Sequence, residues 1–439
     1  MPEYNAPAGY SGWNKPCLFQ FLCNHRLVSS DSSQRHSVSD ICRYFVPVTE
    51  SGRKKDDPEH RIKKNQIKVK NIIFFKPAKQ TENIGDLLIN LVEVELLRPY
   101  GQIVVDDLSA PSWFVDEIST SPADQRLSKI SGNQLLKTLS SLLVKQLFSK
   151  KNQYYLFIQP GHTSRTGKDL AISTLKLNLK MNLLKMLGLR ICRIGFSIGP
   201  VDVPNGWAES IGSRAYHYYA LRDHESLKIA QQYNFKDPQY FPDLAWAYAP
   251  EKIEKQAGDY VVISLRSNAY GKEHDSAYLQ PLIAKFRELL INAGQQSLKV
   301  MITYQVKYDR DACVELYENL KNEFNCEFVD SKLTLKEANK IYGSAKFIVS
   351  NRLHVLLLAL KCGGLSFALV DQKDNKKITS IFHDNNLKEL ILDVKENANS
   401  NAERLKKGLS KSNEIMAEFK TIQAGNKKVI EDKLNSIFS

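Results

Sequence analysis

An arginine and a histidine stand between a predicted buried strand and a predicted buried helix, in the segment FIVSNRLHVLLLALKCGG (347–364). The apolar run 347–350 predicts the strand, and the run that ends before Gly363 predicts the helix. Arg352 and His354 would therefore lie at a helix N-terminus, where unpaired backbone N–H groups favour an anion. A fixed cation and a titratable imidazole could bind a phosphate or a carboxylate there. A surface arginine and an ordinary buried histidine would give the same local pattern.

Other polar side chains follow predicted strands in both halves of the chain. The candidates are Asn83, Asp86, His162, Ser164, Arg165, Lys168, Arg222 and Asp223 in the first half, and Arg266, Gln305, Lys307, Arg352, His354, Lys373, Lys376 and Lys377 in the second. If the strands are adjacent, Arg266, Arg352 and a lysine at 376 or 377 converge and suit a ligand of about three negative charges. Asp86 could act as a base toward a hydroxyl. The helix dipole alone would also favour an aspartate at that position.

Common nucleotide-binding and hydrolase motifs are absent from the sequence. There is no G-x-G-x-x-G after a strand, no GxxxxGK[ST], no H-E-x-x-H and no G-x-S-x-G. A dehydrogenase, a P-loop nucleotidase, a zinc protease and a serine hydrolase therefore lose their main support. The paired spacing of a zinc site is also missing among Cys17, Cys23, His25, His36 and Cys42, so we expect no metal.

Predicted strands and helices alternate over most of the chain. The first alternating run covers residues 70–248 and the second covers 259–395, with a polar linker at 249–258. Such alternation predicts parallel sheets with right-handed crossovers. We therefore predict an α/β fold with two Rossmann-like domains facing a cleft, and a ligand site at the C-terminal ends of the strands. Residues 1–69 would form a poorly patterned N-terminal extension, and residues 396–439 a C-terminal helical tail, which we expect to pack on the body.

The composition favours a protein that binds anions. The 439 residues carry a formal net charge of +13, and no apolar run reaches the length of a membrane-spanning helix. The N-terminus lacks the apolar core of a signal peptide, and the seven scattered cysteines are typical of free thiols in a reducing compartment. We therefore expect a cytoplasmic protein whose positive charge would tolerate peripheral contact with the anionic inner face of a membrane. No basic motif with interleaved aromatic residues indicates nucleic-acid binding.

Six short segments, in this order, resemble elements of the polysaccharide pyruvyl transferase family. They are NIGDLLI (83–89), IGFSIGP (194–200), LRDHES (221–226), PDLA (242–245), VISLR (262–266) and SNRLH (350–354), the last followed by an apolar helix and a glycine pair. Together they extend over the two predicted domains. Family members share the build of cleft-type glycosyltransferases, so the resemblance implies a GT-B-like architecture with an acceptor-side first domain and a donor-side second domain.

The resemblance implies a transferase that moves pyruvate from phosphoenolpyruvate onto two hydroxyls of a sugar in a cell-surface polysaccharide (an exopolysaccharide) or its precursor. The products would be a ketal and phosphate, and no cofactor would be needed besides the phosphoenolpyruvate co-substrate. The donor would be bound by Asn83, Arg266, Arg352, Leu353, His354 and Lys377, with Lys376 as the alternative to Lys377. The catalytic residues would be His354, Asp86 and Arg352. A glycan or lipid-linked oligosaccharide acceptor would contact His162, Ser164 and Arg165.

Two other functions remain compatible with the sequence. Many family members carry a glycine pair where this chain has Pro160, Gly161 and His162, and proline is common where this chain has Leu365. The same cations could bind the diphosphate of a nucleotide sugar, as in a GT-B-like glycosyltransferase of polysaccharide biosynthesis. A non-catalytic glycan- or membrane-binding protein could also keep this fold. Binding of phosphoenolpyruvate would distinguish pyruvyl transfer from both.

Overall fold

The computed structural model describes residues 70–78, 80–148, 151–251, 258–268 and 273–439. The predicted N-terminal extension, together with the cysteines and histidines considered for zinc, lies outside these ranges. Most of the predicted linker at 249–258 also lies outside them.

The first domain is built on a parallel sheet. Its strands are β1 (Lys70–Lys76), β2 (Gln102–Val105), β3 (Gln125–Arg126), β4 (Asn152–Ile158), β5 (Gly161–Arg165), β6 (Arg190–Val201), β7 (Tyr216–Leu221) and β8 (Gln239–Tyr240). The spatial order is β3-β2-β1-β4-β6-β7-β8, and β5 lies beside β6. The helices of this domain are α1 (Ile84–Leu97), α2 (Ser112–Ile118), α3 (Leu127–Ile130), α4 (Leu135–Gln146), α5 (Lys168–Met186), α6 (Val203–Ser213) and α7 (His224–Gln232).

The second domain is built on another parallel sheet. Its strands are β9 (Tyr260–Ser264), β10 (Lys299–Ile302), β11 (Cys326–Phe328), β12 (Phe347–Ser350), β13 (Ser366–Val370) and β14 (Ile391–Asp393), in the order β11-β10-β9-β12-β13-β14. Its helices are α8 (Ser276–Asn292), α9 (Arg310–Leu320), α10 (Leu335–Ser344), α11 (Leu353–Lys361) and α12 (Lys376–Asp384). Two further helices, α13 (Ala398–Ser410) and α14 (Ser412–Phe438), follow the sheet.

The central strands are buried on both faces, which explains their continuous apolar sequences. In β1, the four residues from Ile72 to Phe75 are all buried, and in β12 the four residues Phe347–Ser350 are buried as well. A strand with such a pattern belongs in a parallel sheet that helices cover on both sides. The structure therefore confirms the predicted fold class, an α/β protein with two Rossmann-like domains facing a cleft.

Two local elements differ from the sequence prediction. The segment after β4 reads as a polar loop but contains β5, whose polar side chains conceal a strand that pairs with β6. The sequence pattern predicts a helix over 208–219, whereas α6 begins at Val203. Asp202 explains this start, because its Oδ1 accepts a hydrogen bond of 3.0 Å from the backbone N–H of Asn205.

The C-terminal helices contact the two domains through apolar side chains. In α14, Phe419, Ile430 and Ile437 are buried. The ring of Phe438 stacks on Tyr100, with centroids 4.5 Å apart, and its centroid is 4.7 Å from that of Tyr155 on β4. The end of α14 therefore covers part of the first domain. Among the helices in the described part of the chain, none has the length and hydropathy that crossing a membrane would require.

Candidate functional site

A pocket of about 680 Å³ lies where the C-terminal ends of the two sheets face each other. The predicted site residues that line it are Asn83, Asp86, His162, Ser164, Arg222, Arg266, Gln305, Arg352, Leu353, His354 and Lys377. Its other charged residues are Arg193 and Asp374. Five cationic side chains therefore face two carboxylates in the lining, and this excess of positive charge favours an anionic ligand.

The strand order of the second sheet explains why its cations converge. Strands β9, β12 and β13 are neighbours, so the residues that follow them meet at one edge. Asn351 joins the first two strand ends. Its Oδ1 accepts a hydrogen bond from the backbone N–H of Arg266 at 2.8 Å, and its Nδ2 donates to the backbone carbonyl of Arg266 at 3.0 Å. Arg266 and Arg352 are thereby held beside each other at the pocket.

These two guanidinium groups are close enough to influence each other. Burial, together with the positive charge of Arg352, lowers the pKa of Arg266. Arg352 forms an ion pair with the buried Asp309, and its guanidinium carbon lies 5.2 Å from the ring centroid of Tyr308. The charge of Asp309 also acts on Arg266 and opposes the lowering of its pKa. An anionic ligand that contacted both guanidinium groups would reduce their mutual repulsion.

Arg222 contributes a buried guanidinium from the first domain. Its Nε donates to the Oγ of Ser197 at 2.8 Å, and its Nη1 donates to the Oδ2 of Asp243 at 2.6 Å. Its buried Nη2 has no hydrogen-bond partner among the described residues, and the side chain lines the pocket. A buried donor without a partner costs free energy, so this nitrogen is suited to donate to a ligand oxygen.

His354 lies in the first turn of α11, beside groups of the first domain. Its Nε2 is 3.4 Å from the Nη1 of Arg222 and 3.7 Å from the Oδ2 of Asp243. The ring also approaches α1 so closely that a Cβ at Gly85 would overlap it. Burial lowers the pKa of His354, the charges of Arg222 and Lys377 lower it further, and Asp243 opposes them. These effects together favour the neutral imidazole, and an anion bound beside the ring would oppose them.

Asp86 is held at the start of α1. Asn83 caps this helix, because its Oδ1 accepts from the backbone N–H of Gly85 at 2.9 Å while its Nδ2 donates to the Oδ2 of Asp86 at 3.0 Å. Burial raises the pKa of Asp86, although the charges of His354 and Lys377 oppose this shift. Both interpretations of Asp86 from the sequence therefore apply, since it stabilises a helix start and also faces the pocket.

The two candidate lysines at the start of α12 differ in their surroundings. Lys377 lines the pocket, whereas Lys376 is exposed and does not. Burial and the nearby Arg222 lower the pKa of Lys377 to about 7, against the opposing charges of Asp243 and Asp86. An ammonium with such a pKa becomes fully charged when an anion binds.

Strand β5 brings two of the three predicted acceptor residues to the pocket. His162 and Ser164 line it, as does Thr163 between them, whereas Arg165 does not. The Nε of Arg165 instead donates to the Oε1 of Glu209 at 2.6 Å. The groups around His162 desolvate its ring, and together with the charge of Lys377 they lower its pKa.

Four residues of the site are poorly marked in the sequence. Tyr308, Asp309 and Arg193 are not among the sequence-predicted residues, and Asp243 occurs only within the PDLA element. Asp309 ends a short 3-10 turn that follows β10, so its position after a strand is the signal that could have identified it. Arg193 lies inside the apolar run of β6, where nothing in the local pattern indicates a pocket residue.

Direct contacts between the two domains border the pocket. The backbone of Asn83 forms an antiparallel bridge with that of Val306. Nearby, the Nζ of Lys332 lies 3.1 Å from the Oε2 of Glu82. These contacts bring the start of α1 next to the loop after β10, and they help to hold the two walls of the pocket together.

Comparisons with known proteins identify a family and several structural neighbours. The family model described as polysaccharide pyruvyl transferase matches residues 83–369. No curated protein matches the sequence. The chain is similar to the Neisseria meningitidis UDP-GlcNAc 2-epimerase bound to UDP-GlcNAc, with a TM-score of 0.46 and 11% identity over 84% of this chain and 99% of that chain. It is similar to the Thermobaculum terrenum O-GlcNAc transferase, with a TM-score of 0.48 and 11% identity over 84% of this chain and 68% of that chain. It is also similar to the E. coli heptosyltransferase WaaC with ADP, with a TM-score of 0.37 and 14% identity over 78% of this chain and 99% of that chain.

Proposed function

The chain belongs to the polysaccharide pyruvyl transferase family, and on that basis we propose that it transfers pyruvate from phosphoenolpyruvate onto two hydroxyls of a sugar. The sugar would be part of a cell-surface polysaccharide or of its precursor. The reaction would form a cyclic ketal and release phosphate.

The convergence of cationic side chains from both domains on one pocket carries this proposal. Arg222 comes from the first sheet, and Arg266, Arg352 and Lys377 come from the second. Phosphoenolpyruvate has a phosphate and a carboxylate, and guanidinium groups bind both kinds of anion with paired hydrogen bonds. The N-terminus of α11 adds unpaired backbone N–H groups beside Arg352. This set of groups suits a small ligand with two separate anionic ends.

The donor would lie between the two domains. Arg266 and Arg352, held together by Asn351, would bind one anionic group, and Lys377 would neutralise charge beside them. The Nη2 of Arg222, which lacks a partner among the described residues, would donate to the donor from the first-domain side. His162 and Ser164, which line the pocket on the first-domain side, would contact the acceptor.

His354 would act as the acid that protonates the donor. Burial lowers its pKa in the ligand-free protein, but an anionic donor beside the ring favours the imidazolium form. The imidazolium would give its proton to the methylene carbon of phosphoenolpyruvate, which becomes a methyl group. The former enol carbon would then have oxocarbenium character and be open to attack.

Asp86 would act as the base toward the acceptor. Burial raises its pKa and so makes its carboxylate a better proton acceptor near neutral pH. The first sugar hydroxyl would lose its proton and form a C–O bond to the former enol carbon. The C–O bond to phosphate would break, and the second hydroxyl would close the ring. The two hydroxyls together lose two protons. One of them compensates for the proton that the new methyl group gains, and the other leaves with phosphate.

The test is release of inorganic phosphate from phosphoenolpyruvate in the presence of glycan acceptors. The wild-type protein should release phosphate, and Arg352→Ala should lose this activity. Arg310→Ala is a matched control, because Arg310 is a neighbouring exposed arginine that pairs with Asp330 and does not line the pocket. The proposal fails if phosphoenolpyruvate neither binds nor turns over with any acceptor, or if Arg352→Ala behaves as wild type.

A thermal-shift comparison distinguishes this donor from a nucleotide sugar. Phosphoenolpyruvate should raise the unfolding temperature in proportion to the logarithm of its concentration above the Kd. UDP-, GDP- and CMP-sugars should give no comparable shift. A shift with one of these sugars and none with phosphoenolpyruvate would favour a glycosyltransferase instead.

A further inference from the structure

An exposed apolar face covers helices α5 and α6 of the first domain. Its main side chains, with their exposed fractions, are Ile172 (55%), Leu179 (59%), Leu183 (59%) and Met186 (83%) on α5, and Val203 (61%) and Trp207 (68%) on α6. Single exposed hydrophobic residues are normal on a protein surface. A continuous group of large ones on two neighbouring helices instead indicates a site of interaction.

Helix α5 carries large apolar side chains on its exposed side as well as on its buried side. Its buried positions include Thr174 and Asn178, and the Nδ2 of Asn178 donates to the backbone carbonyl of Ala208 on α6 at 2.7 Å. Its exposed positions include Leu179 and Leu183. A helix covered only by solvent would bury its leucines and expose its amide and hydroxyl groups. The outer side of α5 is therefore suited to an apolar environment.

The charge on α5 and on the segment before it is mostly positive. Between Leu135 and Met186 the sequence has nine lysines and arginines and a single acidic residue, Asp169. Lys176, Lys180 and Lys185 are exposed on α5, between the exposed leucines. Lysines that flank an apolar helix face are typical of helices that lie at the surface of an anionic bilayer.

A second copy of this chain fits the face less well than a lipid surface does. A symmetric contact would place the same patch of both copies together, and the lysines of one copy would then meet those of the other. Each such pair of like charges opposes association. An anionic lipid headgroup layer instead neutralises the lysines while the acyl region accepts the leucines and Trp207.

The face adjoins the rim of the pocket. Strand β5, whose His162 and Ser164 line the pocket, leads directly into α5 at Lys168. Strand β6, whose Pro200 also lines the pocket, leads into α6 at Val203. A surface bound to this face would therefore lie next to the acceptor side of the pocket.

We propose that the exposed face of α5 and α6 binds an anionic lipid bilayer peripherally. The leucines and Trp207 enter the boundary between headgroups and acyl chains, and the lysines contact the headgroups. This binding does not depend on the proposed reaction, although it would bring a lipid-linked acceptor to the pocket rim.

Cosedimentation of the full chain with vesicles tests the proposal. The wild-type protein should pellet with vesicles of phosphatidylcholine mixed with phosphatidylglycerol, and far less with phosphatidylcholine alone. A Leu179→Glu/Leu183→Glu double variant should weaken binding by about tenfold or more, because two charges enter the apolar contact. Lys176→Gln should weaken it by about fivefold, and added salt should do the same.

A control variant separates this face from exposed hydrophobic residues in general. Ile291 on α8 of the second domain is 48% exposed, and Ile291→Glu should leave vesicle binding unchanged. All variants must keep the unfolding temperature of the wild type within a few degrees for the comparison to hold.

Trp207→Phe gives a second and milder test, because it replaces an exposed side chain without adding charge. Vesicles with brominated acyl chains should quench the fluorescence of the wild-type protein, and this quenching should be lost in Trp207→Phe.

Three outcomes would overturn the proposal. The first is that the wild-type chain does not bind anionic vesicles. The second is that Ile291→Glu weakens binding as much as the α5 variant does. The third is that light scattering shows a wild-type dimer that the α5 double variant converts to a monomer, since the face would then be occupied by a second copy.

Discussion

The carboxylate of Asp243 reaches His354 from the other domain, with 3.7 Å between its Oδ2 and the Nε2 of the imidazole. Asp243 precedes a short 3-10 turn at the end of the first domain, whereas His354 lies in the first turn of α11 in the second. The same Oδ2 accepts a hydrogen bond of 2.6 Å from Arg222. One buried carboxylate therefore lies beside both a pocket-lining cation and His354, the acid of the proposed reaction.

Asp243→Asn should move the pH dependence of turnover. The negative charge of Asp243 raises the pKa of His354 against the effect of burial, so its removal lowers that pKa further. If protonated His354 is the acid, the alkaline side of the pH–rate profile should shift to lower pH. Phosphate release recorded over a range of pH measures this shift.

The same variant needs a stability control. Asp243→Asn leaves the buried Arg222 without its counter-charge, and breaking a buried ion pair costs about 3–5 kcal/mol. The profile is therefore informative only at temperatures where the variant is folded. Asp237→Asn, at an exposed aspartate, should change neither property. A folded Asp243→Asn protein with the wild-type profile would contradict a positioning role for Asp243.

Arg352 should determine the affinity for the donor. Arg352→Ala removes a charge-assisted contact worth about 1.5–3 kcal/mol, which corresponds to roughly a 10- to 100-fold weaker binding of phosphoenolpyruvate. Arg352→Lys should recover only part of this loss, because an ammonium cannot bind two oxygens in one plane. Isothermal titration calorimetry gives the Kd values.

A double variant controls for the carboxylate that Arg352→Ala leaves behind. The buried Asp309 would lose its ion-pair partner, so Arg352→Ala/Asp309→Asn should be more stable than Arg352→Ala alone. It should bind the donor no better than the single variant. Recovery of wild-type affinity in the double variant would show that Arg352 only neutralises Asp309.

Donor binding should weaken as the pH rises through the pKa of Lys377, about 7. Above that pH the free protein loses a positive charge that the anionic donor requires. Lys377→Arg keeps its charge and should bind with a Kd that varies little on the alkaline side of neutral pH. Lys376→Arg, at the exposed neighbour, should follow the wild-type curve. A wild-type Kd independent of pH in this range would argue against Lys377 as a donor ligand.

Lys377 should make the folded protein less stable at low pH, although its charge favours donor binding there. Its pKa in the folded protein lies below the ordinary value of 10.5, so holding the ammonium in the folded protein costs free energy. This cost is fully present below pH 7 and disappears as the pH rises toward 10.5. Lys377→Met should therefore raise the unfolding temperature at mildly acidic pH and abolish donor binding. A lower unfolding temperature at that pH would contradict the assigned shift.

Gly85→Ala should reduce turnover by displacing His354. A Cβ at this position would overlap the imidazole, so the ring must move or α1 must shift. Gly425→Ala on α14 is the matched control, because a Cβ there meets no other atom and alanine favours a helix by about 1 kcal/mol. The control should raise the unfolding temperature slightly and leave phosphate release unchanged. Wild-type activity in Gly85→Ala would mean that the position of His354 is not critical.

The parts of the site that follow a strand were predictable from the sequence. Arg266 and Arg352 each come directly after a short apolar run, and parallel strands bring such positions to one edge. Their proximity was harder to predict from the sequence. It depends on β9 and β12 being neighbours in the sheet, although two other strands lie between them in the sequence.

The rest of the site depends on long-range contacts that a local pattern does not show. Arg193 occupies an apolar strand, and Asp243 acquires its role only because a turn of the first domain meets α11 of the second. The exposed leucines of α5 present a related difficulty. The sequence predicts only a helix here, and the exposed fractions alone show that Leu179 and Leu183 lie on its outer side while Thr174 and Asn178 are buried.

The position of Phe438 has a consequence for synthesis of the chain on the ribosome. Its ring packs against Tyr100 and Tyr155 of the first domain. The residue that covers these rings is therefore translated more than two hundred positions after β4. A nascent chain that has produced the whole first sheet still exposes these aromatic rings until α14 has left the exit tunnel. The packing of this part of the first domain is thus completed only after the second domain has been made, and a chain that stops before α14 would leave these rings exposed.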